Sequence, residues 1–267
     1  MVPIWVPHGS AIGNRLLKPI YKAIFGQTWI TSEIWDGIVM EVNPSEAIGG
    51  NLYFSSHLYD RDERTWIAEM MGNQGTFVDV GANIGAYSLW AHSCMKHGGR
   101  IVAIEADPEN FQVLRGNLKR NGVAEQVIAI NMGVSDAPGS LTFYRNTRGN
   151  NGGNSFQAQE GNEPIGDLPV RPLHEILVEA KVLHVDFMKM DIEGFELRAL
   201  TRFFVDCVMP GPDLRPSCLL VELDEGPRGN DRMYREQLMG LLAENDYACA
   251  KEGKNALFVR TASQASE

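Results

Sequence analysis

From Thr76 onward the sequence keeps one rhythm: a short apolar run, a turn rich in glycine or acid, then a stretch with helical spacing. Residues 77–80, 101–104, 127–131, 187–190 and 218–222 are the strand-like runs. Residues 84–97, 108–121, 173–180, 195–204 and 231–244 read as the helices between and after them. Strands that alternate with helices join one sheet through crossovers. The sheet is then mostly parallel and covered on both faces. Residues 140–144 look like a short extra strand. Residues 247–250 and 255–260 read as a hairpin across Glu252-Gly253-Lys254, which adds an antiparallel edge. The fold class expected is α/β, with a Rossmann-like sheet.

The first sixty residues read differently. Residues 11–25 place Ile12, Leu16, Leu17, Ile20, Ile24 and Phe25 at helical spacing, with Arg15, Lys18 and Lys22 off that stripe. Such a face packs on the body of the domain or on a second copy of the chain, as a homodimer contact, more readily than on a membrane surface. Residues 33–42 and 51–55 look like two strands, joined by a loop with Pro44 and Gly49-Gly50. Residues 60–71 look like a helix with Trp66, Ile67 and Met70 inward. The expected organisation is an N-terminal extension over 1–58 (helix plus hairpin, a substrate or dimer element), a main domain over 59–262 and a disordered tail over 263–267. Residues 146–169 are polar and too long for an ordinary connection, so they are expected to be a flexible insertion, either lid or disorder.

Composition narrows the function. The 24 Lys and Arg against 34 Asp and Glu give a formal charge of −10, which argues against general phosphate binding and makes nucleic acid a poor partner. Cys94, Cys207, Cys218 and Cys249 form no C-x-x-C pair and sit in apolar contexts, so they are read as reduced, packed thiols. No apolar run reaches the ~18–20 residues of a membrane span, and Met1–Ser10 carries no leader pattern. The expectation is a soluble, cytoplasmic protein.

The chemistry begins at Asp79-Val80-Gly81-Ala82-Asn83-Ile84-Gly85, which leaves a strand and opens a helix. Gly81 permits a tight turn and Gly85 a close helix–strand contact. The turn's N–H groups and helix dipole are expected to face a polar ligand. The spacing is G-x-x-x-G rather than the G-x-G-x-x-G of dinucleotide folds, and Asn83 takes the place of the middle glycine. Asp79 puts a carboxylate where a pyrophosphate would sit, which suits an amino group instead. Glu105 ends the next strand, about twenty residues after the turn, where a carboxylate can accept from both ribose hydroxyls. An ammonium tail and a ribose together describe S-adenosylmethionine. Met132, Gly133 and Val134, after the third strand, are placed against the adenine.

Residues 77–85, 105–108 and 117–122, with the run Lys189-Met190-Asp191-Ile192-Glu193-Gly194-Phe195-Glu196, resemble the FkbM family of S-adenosylmethionine-dependent methyltransferases. Asn154-Ser155, Leu220-Val221-Glu222 and the Tyr59-Asp60 pair also match. The resemblance covers residues 52–259, and departs at Pro172-Leu173-His174-Glu175, where many members have a Leu-Asp pair. It implies a seven-stranded class I methyltransferase sheet and O-methylation of a sugar, glycan or natural product. The cofactor site implied is Tyr59, Asp79, Gly81, Ala82, Asn83, Gly85, Glu105, Ala106, Met132, Gly133 and Asp191.

Methyl transfer needs alignment first, and a general base when the nucleophile is a hydroxyl. Asp191 and Glu193 leave the fourth core strand at the cofactor edge, and Glu222 ends its neighbour. These three carboxylates are the catalytic candidates, as base or positioning groups. A divalent metal would also explain the cluster, but is the less favoured reading. His57 is an outside candidate for the base, while His92 and His97 read as surface or packing residues. Trp35 and Tyr53 are the aromatics to examine for substrate stacking. Two alternatives remain: a nicotinamide-dependent oxidoreductase on a related sheet, and a non-catalytic cofactor-binding protein.

Overall fold

The computed structural model describes residues 23, 28–96, 98–146, 153–158, 162–223 and 231–261. The helix and homodimer contact read at 11–25 (Ala23 aside), and the tail at 263–267, lie outside the described residues.

The N-terminal part is a hairpin, β1 (Ile30–Trp35) and β2 (Ile38–Val42), followed by α1 (Ala47–Ser55) and α2 (Arg61–Met70). This corrects two expectations. Residues 33–42 are not one strand, because Asp36-Gly37 turns the chain, with Gly37 at φ +74; Asp-Gly is a strong hairpin signal. Residues 51–55 are helical. The Asn43 side chain accepts from the Ser45 N–H and hydroxyl, an Asx turn that starts the helix. A run of three apolar residues, Leu52, Tyr53 and Phe54, is compatible with either periodicity.

The main sheet has seven strands in the order β11-β12-β10-β9-β3-β4-β5. They are β3 (Thr76–Val80), β4 (Arg100–Glu105), β5 (Val127–Asn131), β9 (Phe187–Met190), β10 (Cys218–Glu222), β11 (Tyr247–Lys251) and β12 (Asn255–Arg260). Pairings from β5 through β10 are parallel, and the terminal hairpin is antiparallel, as expected. The helices are α3 (Ala86–Cys94), α4 (Pro108–Arg120), α5 (Leu173–Glu179), α6 (Glu196–Cys207) and α7 (Asp231–Glu244). Alternate strand residues feed two cores. Val78, Met188 and Leu219 pack on one face of the sheet, and Phe77, Phe187 and Leu220 on the other. That two-sided burial is why the strands read as continuous apolar runs. The chain runs outward from β3 to β4 and β5, then returns to place β9 and β10 on the other side of β3. The switch point is therefore between β3 and β9, where a ligand crevice forms in such sheets.

A second, three-stranded sheet pairs β6 (Gly133–Val134) with β8 (Asn162–Arg171), and β8 with β7 (Gly139–Asn146). The expectation of a flexible insertion over 146–169 therefore fails over its last eight residues, which are strand. β8 is exposed along most of its length and is interrupted by Pro164, Gly166 and Pro169, residues that read as loop rather than strand. The cysteine expectation also needs one correction. Cys207 and Cys218 are buried and Cys94 is partly so, but Cys249 is exposed on the edge strand.

The N-terminal hairpin docks through Asn117 on α4 and Asn121, the residue that caps its C-terminus. Asn121 accepts from the Val39 N–H at 2.9 Å and donates to the Val39 carbonyl at 2.7 Å. Asn117 does the same with Glu41, at 2.7 and 3.3 Å, and also donates to the Ile84 carbonyl at 2.9 Å. The open edge of β2 is thus satisfied by side chains rather than by another strand.

Candidate active site

A cleft opens at the carboxyl ends of β3, β4, β5 and β9, the edge at which open α/β sheets bind ligands. Tyr59, Gly81, Ala82, Asn83, Glu105, Ala106, Met132, Gly133, Asp191 and Glu193 line it. Asp79, Gly85 and Glu222 stand behind this lining rather than in it. The structure thus brings together the residues singled out from sequence.

The glycine turn is held by its neighbours more tightly than expected. The N–H groups of Gly81 and Ala82 both donate to the Ile104 carbonyl at 2.9 Å. That of Asn83 donates to Glu105 Oε2 at 2.7 Å, that of Ile84 to Asn83 Oδ1, and that of Gly85 to the Ala82 carbonyl. The expectation that these donors face a ligand is therefore corrected: all five are consumed within the protein. A diphosphate would find carboxylates here instead of free amides. Gly81 is at φ +80, and a Cβ on it would overlap the Asp191 carbonyl oxygen, so the turns after β3 and β9 touch at the switch point. Gly85 lies against Leu114, with room for no larger residue unless that side chain moves.

Asp79 is fully buried. Its Oδ2 accepts from the Ser88 hydroxyl at 2.7 Å, while Oδ1 has no hydrogen-bond partner among the described residues. Burial raises its carboxyl above the usual range, against the pull of Lys189. Lys189 is itself buried. It donates to Asp191 Oδ2 at 3.0 Å and lies 4.7 Å from the centre of the Tyr87 ring. Burial would lower its pKa, but the carboxylates of Asp191 and Asp79 outweigh that and hold it raised, as a fixed cation. Glu105 accepts from the Asn83 N–H with one oxygen and from the Asp107 N–H, at 2.8 Å, with the other. Burial pushes its carboxyl up to about 7, against those two bonds.

One oxygen each of Asp191, Glu193 and Glu222 lies within 4.8 Å of the others. Asp191 would be raised by burial, but Lys189 more than offsets this and holds it below the usual carboxylate range. Glu222 is buried beside Lys254, its ion-pair partner. Glu193 sits at φ +55 and Gly194 at φ +94, a sharp turn that a non-glycine residue keeps only when its surroundings hold it there. They do. The Ser155 hydroxyl donates to the Glu193 carbonyl at 2.8 Å, and buried Glu196 accepts from the Ile192 and Gly194 N–H groups and from the Tyr234 hydroxyl. Three carboxylates with two lysines can bind a hydroxyl proton. They could also offer one oxygen each to a hard cation.

Of the substrate and base candidates outside the carboxylates, Trp35 is held in packing, and other lining residues were missed. Trp35 does not line the cleft. It stacks on Arg64, whose guanidinium carbon lies 4.5 Å from the Trp35 ring and 4.7 Å from that of Trp90. Arg64 in turn donates to the carbonyls of Ser56, His57 and Tyr59, which ties the entry segment down. Neither Tyr53 nor exposed His57 lines the cleft. His92 meets Gln126 on the surface, as expected, and His97 lies outside the described residues. Asn131 caps the strand ends, donating to the Glu105 and Ala106 carbonyls. Lining residues not singled out as cofactor contacts include Ile48, Tyr87, Asn110 and Phe156. For Phe156 the available signal was a lone aromatic in a polar stretch.

Residues 79–249 match the family model described as Methyltransferase FkbM domain. Among curated proteins, the chain is 31% identical over 153 residues to the 31-O-demethyl-FK506 methyltransferase FkbM of Streptomyces tacrolimicus, covering 46% of this chain and 56% of that one. It is 28% identical over 175 residues to methyltransferase sdnD of Sordaria araneosa, covering 55% and 64%. The chain thus spans less than two thirds of the length of these relatives. Among solved structures, methyltransferase FkbM from Methylobacillus flagellatus aligns with a TM-score of 0.48 at 18% identity, over 79% of this chain and 54% of that one. An O-methyltransferase from Bacillus cereus in complex with SAH aligns with a TM-score of 0.48 at 10% identity, over 91% and 97%.

Proposed function

The chain belongs to the methyltransferase FkbM domain family, and on that footing we propose that it is an S-adenosylmethionine-dependent methyltransferase acting on a hydroxyl of a sugar, glycan or natural product. The observation that carries this reading is the charge of the cleft. Asp79, Glu105, Asp191, Glu193 and Glu222 gather at the strand ends around Lys189 and Lys254, and the glycine turn keeps its N–H groups for itself. Such a site repels a diphosphate and suits a nucleoside with a cationic tail. It thereby disfavours the nicotinamide reading.

The residues fit the cofactor. Asp79 stands behind the lining with its Oδ1 unpartnered among the described residues, and can accept a hydrogen bond from an ammonium group. Glu105 keeps a second lone pair on each oxygen for the two ribose hydroxyls. Gly133, packed against Phe156 and Val170, lines the end of the cleft where the purine would lie. When bound, S-adenosylmethionine supplies a methyl carbon activated by its sulfonium. Asp191 and Glu193, both on the cleft wall, are then the groups placed to orient an acceptor hydroxyl and take its proton. Lys189 keeps Asp191 ionised, and Glu222 with Lys254 supports the pair from behind. Any divalent cation would occupy this same trio and is an outcome to test with a chelator.

Isothermal titration with S-adenosylhomocysteine, run beside NADH, tests the reading. S-Adenosylhomocysteine should bind and NADH should not, with binding lost in Asp79→Ala and Glu105→Ala. Radiolabelled methyl transfer to panels of hydroxylated acceptors should then fall about 10²–10⁴-fold in Asp191→Asn and Glu193→Gln, with cofactor affinity kept in Glu193→Gln. Tight NADH binding, or S-adenosylhomocysteine binding untouched by both alanine variants, would sink it.

A further inference from the structure

Between β7 and β8 the chain crosses the cleft at residues 154–157. Asn154 is buried and donates to Asp107 Oδ2 at 2.8 Å, beside the Glu105 end of the site. Ser155 bridges Tyr144 by two backbone bonds, of 2.8 and 3.0 Å. Its hydroxyl reaches the Glu193 carbonyl at 2.8 Å, and the Gln157 amide donates to the Gly194 carbonyl. Phe156 lies between them. Its ring centre is 4.8 Å from that of Phe143 and 5.7 Å from that of Phe195. Its tip is close enough to Gly133 that a Cβ there would meet it at 2.5 Å.

We propose that residues 154–157 form a strap with two jobs: Phe156 closes the purine end of the cleft, and Ser155 with Gln157 fixes the strained turn that carries Glu193. Its ligand is the adenosine part of the cofactor, so the inference rests on the proposed function and deepens it. The argument is one of reach. The strap touches the acid-capped helix start beyond Glu105 at one end and the catalytic turn at the other. Phe156 lines the cleft beside Gly133 and Phe143, and an aromatic ring there can stack on a purine. The carbonyls of left-handed Glu193 and of Gly194 are tied down by the strap, while Glu196 holds the N–H groups of Ile192 and Gly194. The nucleoside wall and the acidic trio are thus positioned by the same four residues.

The test uses the full chain with S-adenosylhomocysteine, by titration and stopped-flow dissociation, and hydrogen exchange over residues 192–197. Phe156→Leu keeps apolar volume without the aromatic face and should weaken binding about tenfold or more through faster dissociation. Phe156→Tyr should restore it. Ser155→Ala with Gln157→Ala, measured at saturating S-adenosylhomocysteine, should lose the protection that the ligand confers on residues 192–197. Melting curves establish that each variant is folded. Wild-type affinity in Phe156→Leu, or unchanged protection in the Ser155–Gln157 variant, overturns the strap alone. Failure of the wild-type chain to bind S-adenosylhomocysteine overturns the cofactor reading and the strap with it.

Discussion

Burial holds the Glu105 carboxyl near neutrality, at about 7, while two backbone N–H groups favour its ionised form. Ribose hydroxyls donating to it would stabilise that ionised form further and pull its pKa down in the complex. The sign follows. Below about 7 the carboxyl must lose a proton to bind, so affinity for S-adenosylhomocysteine rises from pH 6 to pH 8 and then levels, with proton release at the acid end. Titrations in buffers of different ionisation enthalpy measure that proton, and Glu105→Gln should abolish the slope. A flat wild-type profile would remove Glu105 from the ribose site. Without ligand the sign reverses for stability. Glu105 and Glu196, both raised from 4.5 to about 7, hold protons in the native state that the unfolded chain releases. Their contribution to stability is therefore full below about pH 4.5 and lost as pH rises through 7.

At the scale of elements, the docking of the hairpin on α4 is carried by few groups. Asn117 alone satisfies a donor and an acceptor on Glu41 and the carbonyl of Ile84, from a fully buried position. Asn117→Ala leaves buried backbone groups without partners and should cost about 2–4 kcal/mol, read by urea unfolding. Asn121→Ala, nearer the rim, should cost less. Equal and negligible effects would mean that apolar packing of the hairpin suffices. The same elements mark where local sequence signals were ambiguous. Residues 51–55 hold three successive apolar residues, a pattern compatible with strand or helix, and the Asx turn at Asn43 precedes the helix that contains them. β8 is largely exposed and is interrupted by Pro164, Gly166 and Pro169, so composition read it as loop. Strands buried on both faces, by contrast, were legible to within a residue or two, because their apolar runs end where the sheet ends.

For the whole molecule, the contact of Gly81 with the Asp191 carbonyl is the joint between the two halves of the sheet. Gly81→Ala would add a left-handed strain of about 1–3 kcal/mol and force the two turns apart. It should lower the melting temperature and cost S-adenosylhomocysteine affinity more than Gly211→Ala, which has a positive φ but open space around it. Comparable losses in both variants would mean that backbone conformation matters and the close approach does not.

The sequence by itself determined the alternation of strands and helices, the antiparallel edge, and the residues at the carboxyl ends of the strands, including Asp79, Glu105, Asp191 and Glu193. Those features are local. Each depends on a short run of residue types and on a turn that follows it. What only the tertiary structure decided is non-local: that the turn amides are spent on Ile104 and Glu105, that Lys189 neutralises Asp191 and lies beside Asp79, that Trp35 clamps Arg64 rather than a substrate, and that residues 154–157 cross the cleft. The reason is physical. A hydrogen bond or ion pair between residues dozens of positions apart leaves no periodic trace, because either partner alone is an ordinary polar residue until the fold sets them a few ångströms apart.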